Sequence, residues 1–301
     1  MLTSKKGGLI LIFCLLALGL AGLWLWTKKA QELNGGSEKV QVVASIYPLA
    51  EVATRVGGDL VDVVTLTPPG VEPHEFQPTP QDLTKLYQAD LVLLNGLGVD
   101  AWADKLVPEL QTKGIRVLRL SDVVSVIEND PHLWLDPDKV KQEAEFIARE
   151  LILLTNAEST IQEREGVFVG ELSRLDEEYR LGLARCERRE IVTAHDAFRY
   201  LASRYELTVL PIQGLSPESD PSLQTMSEIT DLSKQKGIKY IFFESLIDPK
   251  LAETIAREIG AETLILHPLE GLSQEEMRSG KSYLSLMRDN LRNLRLALNC
   301  T

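Results

Sequence analysis

A chain of 301 residues with a formal net charge of −12 and a pI near 5.0 lacks the basic stripe that nucleic-acid recognition requires, which excludes nucleic acid as a partner. Its 44% hydrophobic and 25% charged residues suit a globular chain able to bury a sizeable core, and its length fits two domains or lobes. Acidic charge also favours cationic ligands through long-range steering.

The N-terminus stands apart from the fold. Lys5 and Lys6 precede an apolar run over residues 9–26, which Lys28 and Lys29 close, the pattern of an export signal. The run approaches the roughly 20 residues that span a bilayer. It shows no A-x-A cleavage site, and Cys14 lies within it, which argues against a lipoprotein cysteine. An uncleaved membrane anchor over residues 1–29 is therefore favoured over a cleaved signal, with residues 30–38 as a flexible tether. Either way the body lies outside the cytoplasm, where Cys186 and Cys300 are an even pair expected to form a disulfide, the alternative being two free buried thiols.

From residue 39 strands and helices alternate. Residues 40–45 (VQVVAS) read as a strand buried on both faces of a parallel sheet, followed by a helix over 47–57 and a strand over 60–66. The stretch GVEPHEFQPTPQD carries His74 in a proline-rich loop. A helix starts right after it, with Thr79 as N-cap, Pro80 at the first helical position and Asp82 completing a capping box. Strands over 90–94 and 116–120, with a helix over 102–112 between them, complete an N-terminal α/β lobe assigned to residues 39–158. A helix begins at Asp136 and Pro137. A charged helical stretch over 160–184 follows, its narrow apolar stripe being Val167, Phe168, Leu172, Leu175 and Tyr179. With no strand in between, residues 159–185 read as a long connecting helix. Alternation resumes in a C-terminal α/β lobe over 186–301, with strands at 191–193, 208–211, 240–243 and 263–266 and a closing helix over 283–298.

All four histidines of the chain fall in loops of this pattern. His74 follows the strand ending at residue 66, His132 sits in DPHLWLDP ahead of a helix, and His195 and His267 closely follow strands. Ligands of open α/β sheets bind at the carboxyl ends of strands, so two facing lobes could bring the four together in a cleft. Neutral imidazoles suit Zn²⁺, and the wide spacing requires a site assembled by tertiary structure. Glu244, ending the strand YIFF, competes as a ligand. Glu72 and Glu75 read as solvated loop acids, while Glu270 and Asp196 could orient an imidazole from behind but read more simply as structural acids. Trp102 and Trp134 read as packing residues.

At these residues the chain resembles the metal-binding solute-binding proteins of bacterial zinc/manganese ABC importers. The motifs are ASIYPLAEVATRVGGD, PPGVEPHEFQPTPQDL, ADLVLLNGLGVDAW, DPHLWLDP, IVTAHDAFRYLA, IFFESLIDP and HPLEGLS, spanning nearly the whole chain after residue 40. The resemblance implies two α/β lobes joined by a long rigid helix, with metal in the interlobe cleft. It places ligands at His74, His132 and His195, and a disulfide between Cys186 and the C-terminal cysteine fits its zinc-type members. The fourth position, often a carboxylate in the family, is expected here at His267, with Glu244 or water as alternatives. That choice favours Zn²⁺ over Mn²⁺. No auxiliary metal-collecting loop is expected, because residues 123–130 are short and lack histidine.

The function expected is therefore extracytoplasmic capture of Zn²⁺, or alternatively Mn²⁺, by a non-enzymatic monomer that delivers it to a membrane permease with its ATPase. A zinc hydrolase would need an open coordination position and a base, for which Glu75 or Glu244 are the candidates. A metal-stabilised adhesin of the same fold is the third reading. Affinity is expected to fall as pH drops through about 6.5, since only neutral imidazole binds metal.

Overall fold

The first strand, β1 (Val40–Ala44), alternates its side chains between two apolar layers: Val42 and Ala44 enter one hydrophobic cluster and Val43 enters another. Two-sided burial of this kind is what a continuous apolar run supports in a parallel sheet. The computed structural model describes residues 39–216 and 221–301; the anchor and tether expected over residues 1–38 lie outside them. Among the described residues no helix is long and apolar enough to cross a membrane.

β1 leads through α1 (Tyr47–Gly57) to β2 (Val61–Thr65), then by a long loop to α2 (Pro80–Gln88) and β3 (Leu91–Leu94). α3 (Val107–Thr112) and β4 (Arg116–Arg119) follow, and the sheet runs β2-β1-β3-β4, all parallel. The helix expected over 102–112 is instead a short 3-10 turn (Ala101–Ala103) and the one and a half turns of α3. Pro108 lacks an N–H and sits at the first positions of α3, so it starts a helix there and does not continue one.

α4 (Pro137–Thr155) and α5 (Glu158–Gly182) come next, the latter 25 residues long. α5 buries Ile161, Phe168, Leu172, Leu175 and Tyr179, a stripe that spirals along its length. Val167, assigned to that stripe from sequence, faces solvent. The second sheet comprises β5 (Glu190–Thr193), β6 (Thr208–Pro211), β7 (Tyr240–Phe243) and β8 (Glu262–Ile265), in the parallel order β6-β5-β7-β8. Its helices are α6 (Arg199–Tyr205), α7 (Leu223–Lys236), α8 (Lys250–Ile259), α9 (Gln274–Arg278) and α10 (Tyr283–Leu298). The short α9, unread from sequence, is set by a capping box of Ser273 with Glu276.

α5 packs on α1 and α4 at one stage and on α10 at another, so it meets helices of both lobes. One hydrophobic cluster runs through both lobes, joining Leu49, Trp134 and Leu172 to Phe198, Leu266 and Tyr283. Residues Val40–Thr301 accordingly form one compact unit. A disulfide joins Cys186 to Cys300, fixing the end of α10 beside the segment that follows α5.

Candidate metal centre

The His74 loop is stiffened from both sides. Pro73 opens a 3-10 turn (Pro73–Glu75) whose preceding Glu72 side chain accepts the His74 N–H at 3.4 Å, and Phe76 is buried edge-on against Trp102. Downstream, Thr79 and Asp82 form the reciprocal capping box expected from the sequence. Upstream, the Gly70 N–H donates to the Leu272 carbonyl at 2.8 Å, linking this loop to the one that carries Glu270.

His132 is held by its neighbour two residues back. The Asp130 carboxylate accepts the His132 backbone N–H at 3.0 Å and lies 2.7 Å from Nδ1. Both side chains are fully buried. Asn95, at the end of β3, donates to the Pro131 carbonyl, while the Trp134 indole donates to the Pro268 carbonyl across the lobes. His195 emerges just after β5, and its Nδ1 lies 2.6 Å from the carboxylate of Glu244, which emerges after β7.

With their Nδ1 atoms fixed in this way, the Nε2 atoms of His132 and His195 converge. Each imidazole of His74 and His195 places its Nε2 3.4 Å from that of His132. Glu270 Oε1 lies 2.9 Å from His132 Nε2, 3.3 Å from His195 Nε2 and 3.6 Å from His74 Nε2. Donors bound tetrahedrally to Zn²⁺ at 2.0–2.1 Å would stand about 3.3–3.4 Å apart, and these separations, from 2.9 to 3.6 Å, lie around that spacing. The second Glu270 oxygen, Oε2, is buried with no hydrogen-bond partner among the described residues, a further acceptor for a cation.

Electrostatics pair the charges in place. Burial pulls the His132 imidazole down, but hydrogen bonds to Asp130 and Glu270 outweigh it and hold it above its ordinary value. Burial likewise opposes His195, which the charge and hydrogen bond of Glu244, then of Glu270, hold well above. Glu270 is resisted by burial yet held well below the usual carboxylate range by the three imidazoles. Glu72, beside it, is pushed up to about 9 by burial and by the Glu270 charge. The pocket is thus built to balance a carboxylate against positive charge, and a divalent cation can take over that task from protons.

The structure brings together three of the residues expected from sequence, His74, His132 and His195, with Glu270 as the fourth member. His267 is a correction: it lies outside this group, its Nε2 3.0 Å from Ser245 Oγ and 3.2 Å from Glu276 Oε1. The reason is the turn after β8, which carries the chain three residues further before a side chain reaches the cleft. Glu244, held as an alternative ligand, stands behind His195 as its anchor. Asp130 was missed, although an acid two residues ahead of a histidine can take its N–H, a local signal. Glu270, expected to orient an imidazole or to serve as a structural acid, is instead a member of the group itself. Asp196 pairs with Arg199, and Glu75 is exposed.

A family model described as ZnuA, zinc-uptake complex component A, periplasmic, matches residues 42–297. The chain belongs to this family. It is 32% identical over 292 residues to the high-affinity zinc uptake system protein ZnuA of Bacillus subtilis, covering 90% of this chain and 91% of the relative. It is 31% identical over 301 residues to the zinc-binding lipoprotein AdcA of Streptococcus pneumoniae, covering 93% of this chain but only 60% of that longer protein. The Zn(II)-bound ZnuA-like domain of AdcA superposes with a TM-score of 0.79 at 32% identity, over 87% of this chain and all of that one. The laminin-binding protein Lmb of Streptococcus agalactiae, described as bifunctional in adhesion and metal transport, matches with a TM-score of 0.79 at 34% identity, over 87% and 100% of the two chains. The ZnuA-family fold is thus two parallel four-stranded sheets flanked by helices, with the His–Glu cluster between them.

Proposed function

We propose that this protein is the extracytoplasmic zinc-binding component of an ABC-type importer, capturing Zn²⁺ between its lobes and delivering it to a permease driven by its ATPase. The observation that carries the reading is the convergence of His74, His132, His195 and Glu270 at near-tetrahedral separations, with His132 and His195 anchored from behind by Asp130 and Glu244. The zinc assignment no longer needs a fourth imidazole. Three nitrogens and one oxygen at these separations suit Zn²⁺, whereas Mn²⁺ favours octahedral oxygen-rich shells. Four protein donors leave no open position for a reactive water, so the site binds and releases metal and does not turn over substrate.

The ligands come from both lobes: His74 and His132 precede α5, and His195 and Glu270 follow it. The shared core and the rigid α5 limit hinge bending, so release proceeds by small tilts and by movement of the His74 loop. The chain acts as a monomer held at the outer membrane face by its N-terminal segment. The test is metal content and competition on the protein purified without chelator. One equivalent of zinc, retained against excess manganese and lost in His195→Ala, is expected. Manganese preference would overturn the metal assignment. Absence of stoichiometric metal would leave the adhesin reading, which the likeness to Lmb favours.

A further inference from the structure

His267 lies outside the metal-binding group, yet it is among the most thoroughly tied side chains in the molecule. It is buried, and its Nδ1 accepts the backbone N–H of Leu269 at 2.9 Å. An Nδ1 that accepts carries no proton, so the proton of the neutral ring sits on Nε2, facing Ser245 Oγ at 3.0 Å and Glu276 Oε1 at 3.2 Å. Glu276 is held in turn by the capping box of α9 and, chiefly through the His267 hydrogen bond, lies down at about 2. The His267 backbone is clamped on both sides by Asn290 of α10, which accepts its N–H at 2.8 Å and donates to its carbonyl at 2.7 Å.

Leu269, the residue before Glu270, has φ of +61°, the left-handed region that is strained for a non-glycine residue and persists only where the surroundings over-determine it. On either side the turn is tied to the first lobe, Pro268 to Trp134 and Leu272 to Gly70. Among the described residues, the bond that fixes the left-handed residue itself comes from the His267 ring. We infer that His267 is the positioning residue for Glu270: by accepting the Leu269 N–H it holds the left-handed turn that aims the carboxylate at the three imidazoles. This rests on the metal-binding reading above and adds to it a residue that sets coordination without touching the ion.

The test uses the full-length chain with Zn²⁺ affinity measured by chelator competition, the visible spectrum of the Co²⁺-substituted protein, and metal-free melting. His267→Phe keeps a ring but no acceptor. His267→Asn offers an oxygen that can take an N–H two residues on, as in an Asx turn. His267→Gln reaches toward the place of Nε2 and cannot close that turn. His267→Phe and His267→Gln are expected to lose affinity about 10–100-fold, with a Co²⁺ spectrum moved toward that of Glu270→Gln. His267→Asn is expected to restore both. Wild-type affinity and spectrum in His267→Phe, or rescue by Gln equal to rescue by Asn, would overturn the inference. If His267→Phe does not melt cooperatively, the Asn and Gln pair decides. Wild-type protein that takes up no stoichiometric zinc would overturn the metal-binding reading itself, before any variant is made.

Discussion

The two lobes wind their sheets identically, yet they present ligands in different ways. In both, the first strand lies between the second and third, so the crevice at the strand ends opens between first and third. In the second lobe the chemistry sits directly at that crevice: His195 follows the first strand and its anchor Glu244 follows the third. In the first lobe, among the described residues, no member of the His–Glu cluster follows the first or third strand directly. Ser45 and the Asn95 and Gly96 N–H groups there converge on the buried Asp100, and Asn95 donates onward to the loop that carries His132. One lobe uses its strand ends as the site, and the other uses them as a footing for loops. Strand ends move less than loops, so of the clustered residues His195, with its anchor Glu244, is expected to be the most firmly held.

That contrast can be broken most severely at His195. His195→Ala should lower Zn²⁺ affinity by more than the roughly 100-fold upper range for outer partners, and His74→Ala, removing the less buried loop ligand, should lower it less. Equal losses in calorimetric or chelator titrations would erase the distinction between lobes. Next come the anchors: Glu244→Ala and Asp130→Ala should each cost about 10–100-fold in affinity, while the fold, followed by circular dichroism, persists. A smaller effect is expected at the footing. Asn95→Ala leaves the Pro131 carbonyl without its partner and should cost about 1–3 kcal/mol of stability in denaturant unfolding, with affinity reduced by less than in Glu244→Ala.

Protons offer a graded way to sharpen the same contrast. His132 and His195 are held above the ordinary imidazole value in the metal-free protein, so zinc must displace protons from them. Affinity should therefore begin to fall well above pH 6.5 and not at it, and calorimetry in buffers of different ionisation enthalpy should register protons released at pH 7. The sign for stability follows. Raised imidazoles stabilise the metal-free fold fully below about pH 6.5 and stop doing so as pH rises through their elevated values. The depressed Glu270 acts oppositely, its contribution lost as pH falls below the carboxylate range. A last effect, confined to high pH, lies away from the metal site. Glu143 is buried in α4 with neither oxygen hydrogen-bonded among the described residues, and burial, then the Asp136 charge, pushes it up to about 8. Its neutral form favours the fold, an advantage present below pH 4.5 and lost as pH rises through 8. Glu143→Met should raise the melting temperature at pH 8 by the equivalent of about 1–3 kcal/mol and change it much less near pH 5.

Much of the fold was legible because its signals are local. The apolar strands and the capping box at Thr79 and Asp82 each act within a few residues. Three members of the cluster could be named because a histidine at a strand end or in a proline-framed loop has few structural uses. The fourth member of the cluster is Glu270 where His267 was expected, for a physical reason. His267 and Glu270 lie in the same short turn, and only the left-handed backbone at Leu269 decides which of them reaches the cleft. Leucine gives no hint of that conformation, whereas glycine would. The anchors were harder still, because Glu244 meets His195 across 49 residues of chain, through sheet pairing that no local pattern specifies.

The bridge between Cys186 and Cys300 encloses 114 positions of separation, and inside that ring lie His195, Glu244 and Glu270. Closing a ring of this size removes unfolded-chain entropy worth roughly 5 kcal/mol on the chain-entropy model, comparable to the whole net stability of many domains. The constraint falls on one half of the site only: the unfolded freedom that the bridge removes belongs to the stretch carrying His195, Glu244 and Glu270, while His74 and His132 lie outside the ring.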